Sequence, residues 1–202
     1  MSTYRVNFYT GAYRDRQQQA NEDRAVCFVA HHLNAADDPS ADYTLCVVGL
    51  NAGPISRAWA QSYTAEVAGA FGVRQWGDDG VCVGGMNGRG NSQIYYTRMP
   101  AILPEPLFCS NPEHAAIIRS ETGRQRLAEI LAASIRQFFP DGGLVAFSIG
   151  HRGKPNSNDA GALIFAQPGE PVMYEADATE DILRRAANLL KIFPEVQANG
   201  TN

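Results

Sequence analysis

Apolar residues fall in short runs, several alternating with polar ones, and polar or glycine-rich stretches separate the runs. Six runs read as strands: Tyr4–Tyr9 (YRVNFY), Ala25–Ala30 (AVCFVA), Tyr43–Leu50 (YTLCVVGL), Gln93–Tyr96, Met99–Leu103 (MPAIL) and Leu144–Ile149 (LVAFSI). Between them lie stretches with helical character. Asp15–Arg24 is polar and helix-prone. From Ser56 to Phe71, Ala58, Trp59, Tyr63, Val67, Ala70 and Phe71 recur at helical spacing, and Pro54 stands just ahead, where helix starts tolerate proline. Two further helices are expected, over Gly123–Phe139 and over Ala176–Ile192. Gly77–Gly90 holds many of the glycines and reads as a long loop. Strands alternating with helices predict an α/β fold: a single domain over residues 1–196, with a mainly parallel, twisted sheet of about six strands flanked by helices. Residues 197–202 read as a flexible tail.

Composition narrows the function classes. Apolar residues make up 45% and charged residues 19%, a globular balance that argues against disorder. The formal charge is -4 and the basic residues are scattered, so no nucleic-acid footprint is expected. Cys27, Cys46, Cys82 and Cys109 show no paired spacing; they read as buried free thiols rather than a zinc knuckle. Met1–Thr10 lacks the basic start and apolar centre of a signal peptide, and no apolar run approaches the ~20 residues of a membrane span. The expectation is synthesis in the cytoplasm, with another system carrying the protein to any target outside; the oligomeric state is left open.

The residues with chemistry stand where strands end. In open α/β sheets, ligands bind beyond the carboxyl ends of the strands. AVCFVA runs into His31-His32, LVAFSIG into His151, and MPAILP into Glu105, while Glu175 opens the last helix. Two imidazoles and a carboxylate are a common ligand set for catalytic zinc, and a further carboxylate beside such an ion can act as a general base. Each residue also has an ordinary role: a hydrogen-bonded loop histidine, a solvated turn glutamate at Glu105, or an acid favouring the helix dipole at Glu175.

Four segments carrying these residues resemble the type-3 family of zinc-dependent N-acetylmuramoyl-L-alanine amidases, which cleave peptidoglycan. Met99–Arg119 (MPAILPEPLFCSNPEHAAIIR) is similar to the family's catalytic-glutamate strand, its Ser-Asn-Pro turn and the helix after it. AVCFVAHHLNA resembles the strand ending in a His-x-Asn motif, and LVAFSIGHRGKPNSNDAGA the first strand with its Gly-His-Gly-Gly loop. YEADATEDILRRAANLL resembles the helix that opens on a metal-binding glutamate. The resemblance implies Zn²⁺ held by His32, His151 and Glu175, with Glu105 as catalytic base. It also implies a peptidoglycan or muropeptide substrate touched by Asn34, Arg98 and the Gly77–Gly90 loop. In the family the Gly-His strand and the glutamate helix come first; here they come last, as a circular permutation would arrange them.

Three departures stand out. Pro104 and Pro106 flank Glu105, Arg152 replaces a family glycine, and about four residues near Pro155–Asn158 lengthen the loop after His151. They keep two alternatives in view: a zinc peptidase or amidohydrolase acting on another amide, and a catalytically decayed wall-binding protein. A phage lysin, a secreted effector and a recycling enzyme are all compatible with the sequence, as is any peptidoglycan chemotype.

Overall fold

The computed structural model describes residues 3–191. The elements run β1 (Tyr4–Phe8), α1 (Tyr13–Glu22), β2 (Cys27–His31), β3 (Tyr43–Val48), α2 (Pro54–Phe71), β4 (Arg74–Gln75), β5 (Val81–Val83), β6 (Ala101–Glu105), α3 (Pro112–Arg119), α4 (Glu121–Phe138), β7 (Gly143–Ile149) and α5 (Glu175–Lys191). The seven-stranded sheet has the order β1-β7-β2-β6-β3-β4, with β5 also on β3. The four strands β1, β7, β2 and β6 run parallel, whereas β3 is antiparallel to β6. The α/β class therefore holds. The sheet is mixed, and it has one strand more than the six runs predicted.

Period-two alternation explains the two cores. On β2, Cys27 and Val29 face one side with Val145, Phe147 and Ile149 of β7, while Phe28 and Ala30 face the other with Leu144 and Ala146. The first face is covered by α2, α3, α4 and α5, through Trp59, Ile118, Leu131 and Leu183 among others. The second is covered by α1, through Ala20, and by the glycine-rich stretch, through Trp76, Cys82 and Ile94. All five residues of β2 are buried, as a parallel strand covered on both faces requires.

Several expected boundaries move. Gln93–Tyr96 is not a strand: Asn91–Gln93 forms a 3-10 turn, closed by Gln93 N–H donating to the Gly90 carbonyl at 3.0 Å. Gly77–Gly90 is not all loop, because Val81–Val83 pairs with Cys46–Val48. Arg74–Gln75 pairs with Tyr43–Thr44 on the same edge of β3, so β4 and β5 act as one interrupted edge strand. The last helix begins at Glu175, and the part of its expected range at Ile192 lies outside the described residues, as do residues 192–196 of the domain and the tail at 197–202.

Helix ends follow local chemistry. Asn111 caps α3, its Oδ1 accepting from Glu113 and His114 N–H, with Pro112 in the first turn. Ser120 ends α3 and caps α4 by accepting from Gly123 N–H at 2.9 Å. All four cysteines are buried free thiols. No helix among the described residues is long and apolar enough to cross a membrane.

Candidate metal centre

Three neighbouring parallel strands, β7, β2 and β6, end on one edge of the sheet. His151, His32 and Glu105 therefore emerge side by side at their carboxyl ends, and α5 brings Glu175 in as its first residue. His32 Nδ1 lies 2.9 Å from Glu175 Oε1, and His151 Nε2 lies 3.2 Å from Glu175 Oε2. The two imidazoles stand edge to face, with centroids 4.9 Å apart. One donor atom from each of His32, His151 and Glu175 falls within 4.8 Å of the others. A tetrahedral zinc with bonds of ~2.0–2.2 Å spaces its ligands by roughly 3.4 Å, so this cluster is of the right size.

The backbone is shaped to let these groups meet. A Cβ on Gly150 would stand 2.6 Å from His32 Nδ1, and one on Gly161 would stand 2.5 Å from Glu175 Oε2. Gly161 also has φ +76°, where side chains are strained. His151 itself sits at φ +59°. Its loop is clamped by Arg16, a fully buried guanidinium on the polar helix α1. Arg16 donates to the Gly11 carbonyl at 2.9 Å, Ser148 Oγ at 2.9 Å and the Ile149 carbonyl at 2.8 Å, and also to the Arg152 carbonyl. Backbone N–H groups of Leu33 and Ala162 donate to the two oxygens of Glu175, each at 3.1 Å.

These contacts set the charge states. Burial opposes ionisation of Glu175, but its hydrogen bonds to His151 and His32 outweigh burial and hold its carboxyl well below the usual carboxylate range. Glu105 shows the opposite balance. Burial pushes it up to about 7; His32, Arg89 and His151 pull it down, and Glu175 pushes it further up. A carboxyl poised near neutrality beside such a group of ligand atoms is suited to taking and returning a proton. The paired environments separate the roles: Glu175 stays an anion, and Glu105 can exchange its proton.

His32, His151, Glu175 and Glu105 line one open cleft of about 470 Å³. The flanking prolines leave Glu105 at the end of β6 facing this cleft, and Pro104 still serves the sheet by accepting from His32 N–H at 3.0 Å. Asn34 lies on the same wall, its Oδ1 tied to Ala35 N–H while its buried Nδ2 has no hydrogen-bond partner among the described residues. Met86, Asn87 and Arg89, from the end of the glycine-rich stretch, form the facing rim. Arg98 lies elsewhere: it lines separate pockets with Met99 and Pro100, and with Asn21 and Tyr96. His31 points away from the cluster's hydrogen bonds; it is fully buried without a partner among the described residues, and burial lowers its pKa to about 3.

Sequence reasoning missed several residues of the site. Gln93 Oε1 lies 2.9 Å from His32 Nε2, and Asp159 Oδ2 lies 2.9 Å from His151 Nδ1. Lys154 Nζ donates to Asp159 Oδ2 at 2.8 Å, and Arg89 stands near enough to Glu105 to lower its pKa. Gln93 was hidden in a run read as strand, and Asp159 in a loop with no periodicity; neither carries a local signal.

Known proteins add an independent line. The profile of the N-acetylmuramoyl-L-alanine amidase family matches residues 3–137. That span contains His32 and Glu105 and stops short of β7, of His151 in the loop after it, and of α5, which opens on Glu175. Among solved structures, an N-acetylmuramoyl-L-alanine amidase from Clostridium difficile 630 is 25% identical, with a TM-score of 0.54 over 64% of this chain and 66% of that one. The catalytic domain of CwlV, an N-acetylmuramoyl-L-alanine amidase from Bacillus (Paenibacillus) polymyxa var. colistinus, is also 25% identical, with a TM-score of 0.53 over 63% of this chain and 65% of that one. The matches thus span just under two thirds of each relative. No curated protein sequence matches the chain.

Proposed function

Because the chain belongs to the N-acetylmuramoyl-L-alanine amidase family, we propose that it hydrolyses the amide between N-acetylmuramic acid and L-alanine in peptidoglycan, as a zinc-dependent enzyme. The observation that carries this reading is the meeting of His32, His151 and Glu175 around one point, with Glu105 on the same cleft. The donor set suits zinc: two imidazole nitrogens and one carboxylate, leaving room for water in the open cleft. Bound there, zinc would polarise the scissile carbonyl and acidify water.

The protein groups have defined tasks. Glu105 removes a proton from the attacking water, which its pKa near 7 permits at neutral pH. As the carbon–nitrogen bond breaks, Glu105 returns that proton to the departing L-alanine nitrogen. Asn34 lines the cleft beside these groups. Arg89 and Asn87 line the rim where glycan or peptide would enter. Arg98, away from this cleft, has no part in this reading.

The chain order fits a circular permutation. The family match ends at 137, yet β7 is inserted between β1 and β2 in the sheet, and β7 with α5 supplies two of the four site residues. A rewired gene, with residues 143–191 placed ahead of residue 3, should then fold with the same sheet and keep its activity.

The direct test is digestion of purified sacculi. The reading requires new free L-alanine amino groups, and a fall of roughly 10²–10⁴ in rate for Glu105→Gln. Near-normal hydrolysis by Glu105→Gln would remove Glu105 from the chemistry. Release of cross-link peptides without free L-alanine termini would point instead to another amide, in keeping with the lengthened loop after His151. Stoichiometric zinc without turnover would point to a decayed site.

A further inference from the structure

We propose that Gln93 and Asp159 are positioning residues that hold the two imidazoles in opposite tautomers, so that Nδ1 of His32 and Nε2 of His151 are the atoms presented to the metal. This rests on the zinc reading above and extends it to residues outside the ligand set.

The argument starts from donor and acceptor counts. A neutral imidazole carries one N–H and one lone pair. His32 Nε2 faces the carboxamide oxygen of Gln93 at 2.9 Å, and that oxygen only accepts. With a cation held beside Glu175, the N–H sits on Nε2, and the lone pair on Nδ1 turns toward that side, where Glu175 Oε1 lies 2.9 Å away. His151 is arranged the other way round. Its Nδ1 faces the Asp159 carboxylate at 2.9 Å, which, with the same cation in place, keeps the N–H on Nδ1 and turns the Nε2 lone pair toward the side of Glu175 Oε2, 3.2 Å away. Two lone pairs and a carboxylate then converge on one point, and only a cation or a proton reconciles them there.

Both partners are themselves held. Gln93 ends the 3-10 turn Asn91–Gln93, which is tied to α1 by Gln17 Nε2 donating to the Ser92 carbonyl at 2.9 Å and by Tyr96 N–H donating to Gln17 Oε1 at 2.8 Å. Asp159 accepts from Lys154 Nζ at 2.8 Å and from Gly161 N–H at 3.0 Å, and the Lys154 ammonium rests over the Tyr13 ring at 4.8 Å. Neither residue reaches the point where the three ligand atoms meet, so each acts through an imidazole. Outer partners of this kind fix ring orientation, and their loss commonly costs 10–100-fold in metal affinity.

The experiment has two arms. Long-range ¹H–¹⁵N correlation spectra of histidine-labelled, zinc-loaded wild type should show the proton on Nε2 of His32 and on Nδ1 of His151. Zinc affinity, read by competition with a chromophoric chelator, should fall by about 10–100-fold in Gln93→Met, which keeps length but removes the acceptor. Gln93→Glu should restore it, and the melting temperature of the metal-free protein should match wild type in both variants. A proton on Nδ1 of His32, or unchanged zinc affinity in Gln93→Met, would overturn the proposal while leaving zinc binding intact. Failure of the wild type to bind zinc would remove the underlying reading and this one with it, and the competition assay separates that outcome.

Discussion

Removing the charge of Glu105 should cut hydrolysis by roughly 10²–10⁴-fold and, in the metal-free protein above neutrality, increase stability. Burial raises the Glu105 carboxyl from an ordinary 4.5 to about 7 in the folded chain. The folded-state pKa is thus above the unfolded one. Between these two values the folded protein holds a proton that the unfolded chain has released, so stability falls as pH rises through this window. Each pH unit of the window costs about 1.36 kcal/mol. From pH 5 to pH 8 the wild type should therefore lose about 2–3 kcal/mol through this group alone. Glutamine has no proton to lose, so Glu105→Gln should escape that loss. Groups common to both proteins cancel in their difference, so the informative quantity is the change in the wild-type–variant difference with pH. Urea unfolding of chelator-treated protein at pH 5 and pH 8 measures it. A difference that stays within about 0.5 kcal/mol would mean that Glu105 is already ionised throughout, and the burial argument would be refuted. Zinc should shrink the effect, because a nearby cation favours the carboxylate. The same sign governs activity: the base must be ionised, so the rate should rise with pH through an apparent pKa at or below about 7.

Other outcomes follow from the same geometry. Arg16→Met should destabilise the protein by about 3 kcal/mol, because the buried acceptors Ser148 Oγ and the Ile149 carbonyl lose their donor, as do the more exposed carbonyls of Gly11 and Arg152; urea unfolding checks this, and a change under about 1 kcal/mol would deny the clamp. Gly161→Ala should weaken zinc binding by an order of magnitude or more, since its Cβ would stand 2.5 Å from Glu175 Oε2 at φ +76°; isothermal titration against wild type reads it. Removing zinc with a chelator should lower thermal stability, and zinc at a thousandfold excess over its dissociation constant should restore about 4 kcal/mol; a melting temperature indifferent to zinc would count against a centre formed in the folded state.

The sheet shows why the four residues that meet in the candidate site were legible and their neighbours were not. His32, His151 and Glu105 each follow an apolar run long enough to declare a strand, and parallel strands deliver their ends to one edge. Glu175 stands at a helix start whose apolar periodicity is plain, with Ile182, Leu183, Ala186 and Leu190 buried along it. By contrast, β4 and β5 have two and three residues and exist because the free edge of β3 accepts them, so no period could reveal them. Arg16 sits in a helix that reads as wholly polar, and its burial depends on the carbonyls of a loop more than 130 residues away. Arg98, expected to touch substrate, lines pockets apart from this cleft.

The amino-acid sequence alone determined most of the longer strands and helices, and which strand ends carry imidazole and carboxylate groups, because both are local properties of pattern and residue type. Only the tertiary structure decided that β7, last in the chain, lies between β1 and β2, that β3 runs against β6, and that Gln93 and Asp159 stand behind the two histidines. Those choices depend on contacts between residues distant along the chain, where the pairing of edges and the satisfaction of buried polar groups leave no trace in any short stretch of sequence.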